Sequence, residues 1–130
     1  MNFKEILSKV EEFQNATDQP ISKSPCNCDD RNNTLRYQLM AEENKEYLVA
    51  TLQEDQVEIL DAVVDMLYIL AGTINQHGLQ DLIEPGFNLV HANNMTKVGP
   101  DGKVLRNPEG KILKPQGFQP VNLKQLFKDE

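Results

Sequence analysis

Two clusters of acidic residues are the part of this sequence best suited to chemistry. The first is the stretch Glu42-Glu43-x-x-Glu46, in which acids three and four positions apart share one helix face. The second follows downstream, at spacings i, i+4, i+7 and i+11: Glu54, Glu58, Asp61 and Asp65. Like charges at i,i+4 destabilise a helix by about 0.2–0.5 kcal/mol per pair. The pattern therefore indicates either a solvated face or a site that a cation neutralises.

Two antiparallel helices facing each other through these clusters would bring four carboxylates into one volume: Glu43, Glu46, Glu58 and Asp61. Such a group is intolerable unless its members are paired or bind a metal. Because the ligands are all oxygen, with no His or Cys among them, they favour magnesium, manganese or calcium over zinc. We therefore expect a site for a divalent cation, with magnesium, manganese and calcium all open on the ligand chemistry alone.

The order Glu42-Glu43-x-x-Glu46 followed by Glu58-x-x-Asp61 resembles the EExxE…ExxD signature of the all-α nucleoside triphosphate pyrophosphohydrolases. That superfamily includes MazG, the dimeric dUTPases and phosphoribosyl-ATP pyrophosphohydrolase. Further segments resemble the last of these branches: Arg36; Asp61-Ala62…Asp65…Tyr68…Gly72; Phe87…Val90-His91-x-Asn93-Asn94-Met95-x-Lys97; Gly110-Lys111-Ile112-Leu113-Lys114-Pro115. The resemblance covers nearly the whole chain. The gap between Glu46 and Glu58 is short for the superfamily, which implies a tight helix connection.

The resemblance implies a Mg-dependent pyrophosphohydrolase that cleaves the α–β bond of an NTP, a dNTP or a related nucleotide. On this reading Glu43, Glu46, Glu58 and Asp61 hold the metal, and Glu42 or Glu46 positions or deprotonates the attacking water. A homodimer or homotetramer is implied as well. Two other classes stay open: a non-catalytic nucleotide-sensing or helical interaction module, and a di-iron bundle, whose Glu-x-x-His pairs this sequence lacks.

Several residues outside the metal set are candidates for contact with the substrate. Arg36 suits bidentate binding of phosphate, although a salt bridge to the acidic clusters is an equal alternative. His91, Asn94 and Lys97, at i, i+3 and i+6, form a stripe that could read a base or sugar and hold a phosphate. The predicted substrate contacts are Arg36, Asp65, His91, Asn94, Lys97, Lys111 and Lys114.

Apolar residues at helical spacing predict four helices, over residues 2–13, 34–51, 54–76 and 79–97. Asn2 and Glu5 have the spacing of a capping box, and Gly78 is a typical stop for the third helix. That third helix carries a wide apolar arc: Val57, Leu60, Val63, Val64, Leu67, Leu70, Ala71 and Ile74. The arc is too wide for a single neighbour, which predicts a bundle shared across a dimer.

The C-terminal tail contains a short repeat, in which residues 100–105 and 108–113 share the pattern Pro-acid-Gly-Lys-Val/Ile-Leu. A type I turn over 107–110 would join two extended runs into a small β-hairpin. The hairpin carries Lys111 and Lys114 and serves either the active site or the dimer interface. The predicted fold is thus an all-α bundle of about four helices with a C-terminal β-hairpin, in a single domain over residues 1–130.

Composition excludes several partners. The formal net charge of −7 argues against binding to a nucleic-acid backbone. No apolar run reaches the roughly 20 residues that span a bilayer, and the N-terminus lacks a signal peptide's apolar core, so a soluble cytoplasmic protein is expected.

The long connection over residues 15–33 is predicted to be either a surface loop or a wall of the nucleotide pocket. It contains Cys26 and Cys28, which we interpret as reduced loop thiols rather than zinc ligands. A second Cys pair is absent, and His77 and His91 lie far away in the sequence.

Overall fold

A computed structural model describes residues 1–127, and within this range the chain is helical and contains no β-strand. The α-helices are α1 (Phe3–Ala16), α2 (Asp30–Leu52), α3 (Gln56–Gln76) and α4 (Ile83–Met95), followed by a short 3-10 helix (Lys124–Leu126). The prediction of an all-α protein with four helices is confirmed. The chain forms two compact units, the first spanning Met1–Gln80 and the second beginning at Asp81.

Side-chain caps set the starts of the first two helices. The predicted capping box is present in α1, where the Glu5 amide donates to Asn2 Oδ1 at 2.9 Å and the Asn2 amide donates to Glu5 Oε1. Helix α2 begins earlier than predicted because Asp29 caps it by accepting from the Asn32 amide at 3.1 Å. The predicted start at residue 34 was therefore wrong, and the connection between α1 and α2 is correspondingly shorter.

A tight connection joins α2 to α3, as the sequence implied. Glu54 takes a left-handed backbone conformation with φ of 56°, and the Asp55 amide donates to the Ala50 carbonyl at 3.1 Å. Asp55 then caps α3 through its side chain. At the far end of the pair, Arg36 of α2 contacts Thr73 of α3, so the two helices run antiparallel along their lengths.

Helix α1 packs on α3 through a small apolar core joined by buried amides. Gln14 and Asn75 are both 1 % exposed. Gln14 Nε2 donates to the Gly72 carbonyl, and Asn75 Nδ2 donates to the Leu7 carbonyl and to Gln14 Oε1, each at 3.0 Å. Because buried polar groups are costly unless hydrogen-bonded, these bonds fix α1 against α3 in one register.

The wide apolar arc of α3 is buried only at its C-terminal end. Ala71 and Ile74 belong to the core. The remaining side chains of the arc are between 42 % and 75 % exposed: Val57, Leu60, Val63, Val64, Leu67 and Leu70. A single chain thus buries this arc over its last turn alone. Sharing of the bundle across a dimer stays a prediction.

In the second unit, α4 is shorter than the predicted helix over 79–97. Pro85 lies in its first turn, where the missing amide proton costs no hydrogen bond. The helix ends at Met95, so Lys97 lies beyond it and the predicted helical stripe of three residues is not continuous. No helix within residues 1–127 combines the length and the apolar character needed to cross a membrane.

The predicted β-hairpin of the tail does not form strands. Pairing there is limited to one antiparallel bridge between Arg106 and Ile112. A turn closes it, in which the Gly110 amide donates to the Asn107 carbonyl at 2.9 Å. The hairpin prediction was correct in the position of the turn and wrong in the strands, because a single bridge is too short to propagate a ladder.

Candidate active site

The first acidic cluster includes one carboxylate that is partly withdrawn from water. Glu43 is half-buried on α2, whereas Glu42 and Glu46 are exposed. Its Oε2 atom is buried and has no hydrogen-bond partner among residues 1–127. Unsatisfied buried polar atoms are rare in folded proteins, and a carboxylate oxygen in this position is suited to receive a cation or a proton.

The second acidic cluster acts on Glu43 electrostatically. Loss of solvation on burial, followed by the negative charges of Asp65, Glu46 and Asp61, raises the pKa of Glu43 to about 7. Asp61 and Asp65 belong to α3, so the two clusters face each other across the antiparallel α2–α3 pair. Carboxylates of both helices thus lie near one half-buried member, and the convergence of Glu43, Glu46, Glu58 and Asp61 on one metal stays a prediction.

Asp65 also acts on the half-buried Glu43 through its charge. Asp65 was predicted as a substrate contact. Of the neighbouring charges, that of Asp65 has the largest effect in raising the pKa of Glu43. Asp65 lies one helical turn beyond Asp61 and therefore on the same face of α3. The i,i+4 spacing of these two acids was the signal in the sequence that pointed to a shared face.

The predicted ligand Glu58 lies nearer to the helix connection. It lines an open pocket of about 500 Å³ together with residues of α2 and the connection: Glu42, Lys45, Glu46, Val49, Ala50 and Gln53. Glu46 both lines this pocket and acts on Glu43, so it links the pocket to the half-buried carboxylate. Both residues predicted to handle the attacking water, Glu42 and Glu46, face this hollow.

The acids do not form a finished metal cage. Within residues 1–127, no three His, Cys, Asp or Glu side chains are arranged to hold a metal ion. Carboxylates repel one another, so this set is expected to separate unless a cation lies between its members. Its chemistry nevertheless fits a hard divalent cation, because the donors are all oxygen and one of them, Glu43 Oε2, is buried without a partner.

Arg36 is buried between helices, where its guanidinium donates to two side chains and to a backbone carbonyl. Its guanidinium donates to Thr73 Oγ1 at 3.1 Å, to Gln19 Oε1 at 3.2 Å and to the Ile69 carbonyl at 2.9 Å. The side chain is 8 % exposed, and burial lowers its pKa. Among the described residues it forms no salt bridge with the acidic clusters. Arg36 therefore ties α2 to α3 and to the preceding loop.

In the second unit, two lysines that were predicted to contact the substrate lie over one aromatic ring. Lys97 Nζ lies 5.6 Å and Lys114 Nζ 5.8 Å from the centre of the Phe118 ring. Both distances are within the range of cation–π attraction. These lysines are far apart in the sequence, so their shared contact with Phe118 is apparent only in the folded tail.

The other predicted contacts of the second unit are exposed. His91 and Asn94 lie on α4, one turn apart. Lys111 lies after the turn of the tail, where its amide donates to Asn107 Oδ1 at 2.8 Å and its side chain is exposed. All three can reach a ligand from solvent.

Comparison with known proteins supports the interpretation of these acids. A family model described as phosphoribosyl-ATP pyrophosphohydrolase matches residues 10–94. The matched region contains both acidic clusters and nearly all of the helical part of the chain. No curated protein matches the sequence. Because the family model covers well over half of the chain, this protein belongs to the phosphoribosyl-ATP pyrophosphohydrolase family, within the MazG-like nucleotide pyrophosphohydrolase superfamily.

Proposed function

We propose that this protein is a Mg-dependent pyrophosphohydrolase that cleaves the α–β bond of an NTP, a dNTP or a related nucleotide. The family indicates a hydrolase that acts on a nucleotide. The observation that carries the proposal is the half-buried Glu43, which faces the acids of α3 and has a pKa raised to about 7. A group so perturbed by burial and by like charges is typical of a functional site.

The metal ligands in this proposal are Glu43, Glu46, Glu58 and Asp61, with Mn²⁺ as an alternative to Mg²⁺. Asp65 lies beside them and either joins the ligand set or contacts the substrate. A bound magnesium ion would supply positive charge to neutralise the phosphates. The protein contributes oxygen donors from two helices that Arg36 holds together, through its bonds to Thr73 and Ile69.

Glu42 or Glu46 is proposed to orient the attacking water and accept its proton. Both line the open pocket beside the metal ligands. In this reaction the water oxygen bonds to phosphorus while the bridging bond to pyrophosphate breaks, and the carboxylate takes the proton that is released. A carboxylate positioned within hydrogen-bond reach of the water is sufficient for that role.

Basic and amide side chains of the second unit are proposed to bind the nucleotide. Lys97 and Lys114 present two positive charges around Phe118, and such charges stabilise phosphate oxygens. Lys111, His91 and Asn94 complete the proposed set. Arg36 contributes by positioning α2, since its donors are already engaged.

The exposed arc of α3 supports a homodimer or homotetramer. Monomeric proteins rarely expose contiguous apolar patches of this kind, and Leu60 and Val57 are 64 % and 75 % exposed. Light scattering coupled to size exclusion would give a dimer or tetramer mass, and a monomer mass would contradict this part of the proposal. A single domain over residues 1–130, a cytoplasmic location and the absence of nucleic-acid or membrane partners stay predictions.

Pyrophosphate release from a panel of nucleotides tests the proposal. NTPs, dNTPs and phosphoribosyl-ATP are incubated with the protein, with and without Mg²⁺. At least one nucleotide of the panel should yield pyrophosphate and a nucleoside monophosphate, and it should do so only when Mg²⁺ is present. Glu43→Gln should lower the rate by about a hundredfold or more, whereas Glu12→Gln, at an exposed acid of α1, should not change it. Saturable nucleotide binding without hydrolysis anywhere in the panel would favour the non-catalytic module.

A further inference from the structure

The loop between α1 and α2 places two cysteines against the C-terminal end of α3. Cys26 Sγ and Cys28 Sγ lie 3.0 Å apart, and they lie 3.8 Å and 3.2 Å from the Gln76 carbonyl oxygen. His77 Nδ1 is 3.7 Å from Cys28 Sγ and 2.9 Å from the Cys26 carbonyl. His77 is therefore a neighbour of the cysteines despite its distance in the sequence, because the loop folds back onto the helix end.

The backbone holds this loop in place. The Cys26 amide donates to the His77 carbonyl at 3.0 Å. Cys28 takes a left-handed conformation with φ of 67°, which is unusual for a residue other than glycine and turns the chain at this point. The Ser24 carbonyl lies so close to Gly78 that a Cβ there would overlap it. The two sulfur atoms therefore approach each other on an anchored loop rather than on a free one.

The two thiols are chemically different. Cys26 is exposed, and Ser22 Oγ lies 3.0 Å from its sulfur atom. The hydrogen bonds from Ser22 and then from Cys28 lower the pKa of the Cys26 thiol. Burial, followed by the hydrogen bond and charge of Cys26, raises the pKa of the half-buried Cys28 thiol. Since the thiolate is the nucleophile, the exposed Cys26 is the better placed of the two thiols to attack an oxidant from solvent.

We propose that Cys26 and Cys28 form a redox-active dithiol that reacts with hydroperoxides, with Cys26 as the attacking thiol and Cys28 as the resolving thiol. The Cys26 thiolate attacks one peroxide oxygen, so that an S–O bond forms, the O–O bond breaks and hydroxide leaves. Cys28 sulfur then attacks the Cys26 sulfenic acid, forming the disulfide as the S–O bond breaks. The two thiols lose two electrons in total, and hydrogen peroxide becomes two molecules of water.

A disulfide accounts for this geometry better than a metal site does. His77 Nδ1, which lies nearest to the sulfur atoms, is 2.9 Å from the Cys26 carbonyl and must carry a proton to donate to it. That nitrogen then has no lone pair for a metal. Closing the disulfide would also remove the thiol protons, so neither sulfur atom could then donate to the nearby Gln76 carbonyl, and the hydrogen bonding at the end of α3 would change.

Intact-mass spectrometry of the full-length protein tests the proposal. After treatment with hydrogen peroxide, the wild-type chain should lose the mass of two hydrogens and become inert to a maleimide, and dithiothreitol should reverse both changes. Digestion should then yield one peptide containing the Cys26–Cys28 bond. Oxygen addition without a disulfide, a bond between two chains, or thiols that stay reduced would each overturn the proposal.

Two matched serine variants test the separate roles. In Cys28→Ser, Cys26 should stop at the sulfenic acid and be trapped by dimedone. In Cys26→Ser, the remaining thiol should react with peroxide about tenfold more slowly than Cys26 does in the other variant. Equal rates in the two variants, or dimedone capture at Cys28 in preference to Cys26, would refute the assignment.

Discussion

The guanidinium of Arg36 lies directly over the backbone of Gly72, where a Cβ atom would come within 2.8 Å of Nη2. Glycine at this point of α3 allows α2 to approach closely enough for Arg36 to reach the Ile69 carbonyl and Thr73. The contact lies on the same antiparallel pair that carries the acidic clusters. Its loss should therefore disturb both stability and site geometry.

Gly72→Ala should lower the free energy of unfolding by about 1–3 kcal/mol, because the new methyl group collides with a buried, hydrogen-bonded side chain. Chemical denaturation followed by circular dichroism measures the change. The matched control is Gly86→Ala in α4, where a Cβ would meet Leu126 Cδ1 at an ordinary van der Waals distance of 3.6 Å. That control should be neutral or stabilising by about 0.5–1 kcal/mol. Equal effects of both variants would contradict the proposed contact.

Asn75→Ala should destabilise the protein by about 2–3 kcal/mol, because it removes the side-chain amide that donates to the buried Gln14 Oε1 and to the Leu7 carbonyl. Urea denaturation gives the value. Asn88→Ala, at an exposed position of α4, should change stability by less than about 0.5 kcal/mol. Similar midpoints for wild type and Asn75→Ala would show that the amide network does not fix α1 on α3.

The metal-free protein should become less stable as the pH rises from about 4.5 to about 7. The pKa of Glu43 rises on folding from its ordinary 4.5 to about 7, so the folded state favours the protonated acid. The stabilising contribution of protonated Glu43 is complete below pH 4.5 and is lost as the pH rises through about 7, its pKa in the folded state. The loss should be on the order of 1–3 kcal/mol.

Glu43→Gln keeps the shape and stays neutral, so it should lose this part of the pH dependence. Unfolding free energies at several pH values, measured in the presence of EDTA, separate the two proteins. Identical pH profiles for wild type and variant would show that Glu43 is not the group responsible.

The parts of the site that follow from local geometry could be read from the sequence. Helical spacing alone places Glu43 and Glu46 on one face of α2, and Asp61 and Asp65 on one face of α3. The shortness of the connection then makes the two helices antiparallel neighbours. The helix caps follow from local chemistry as well, although the Asp29 cap starts α2 earlier than the predicted residue 34.

Contacts between distant segments could not be predicted in this way. The buried hydrogen bonds of Arg36 depend on the absence of a side chain at Gly72, which lies on another helix. The approach of the cysteine loop to His77 depends on a left-handed residue within an irregular segment. The prediction of strands in the tail was wrong for a related reason. The repeat specifies a turn, but the two segments beside the turn pair through a single bridge.

Phe118→Leu should raise KM for the nucleotide about two- to fivefold with little change in kcat. The substitution keeps an apolar side chain and removes the ring that holds Lys97 and Lys114, an attraction worth about 0.5–1 kcal/mol at exposed sites. Steady-state kinetics with the best substrate of the panel gives both constants. Phe87→Leu, at an exposed ring of α4, is the control. An unchanged KM in Phe118→Leu would argue against phosphate binding by these lysines.

Acids of α2 and α3 are proposed to bind a divalent cation together. Thermal unfolding at increasing Mg²⁺ concentration and pH 8 measures this binding directly, as a rise in melting temperature. Sodium chloride at matched ionic strength controls for screening. The melting temperature of the wild type should rise with Mg²⁺ as mass action requires, and that of Glu43→Gln should follow the sodium control. Equal magnesium-dependent shifts in both proteins, or none in the wild type, would contradict the account.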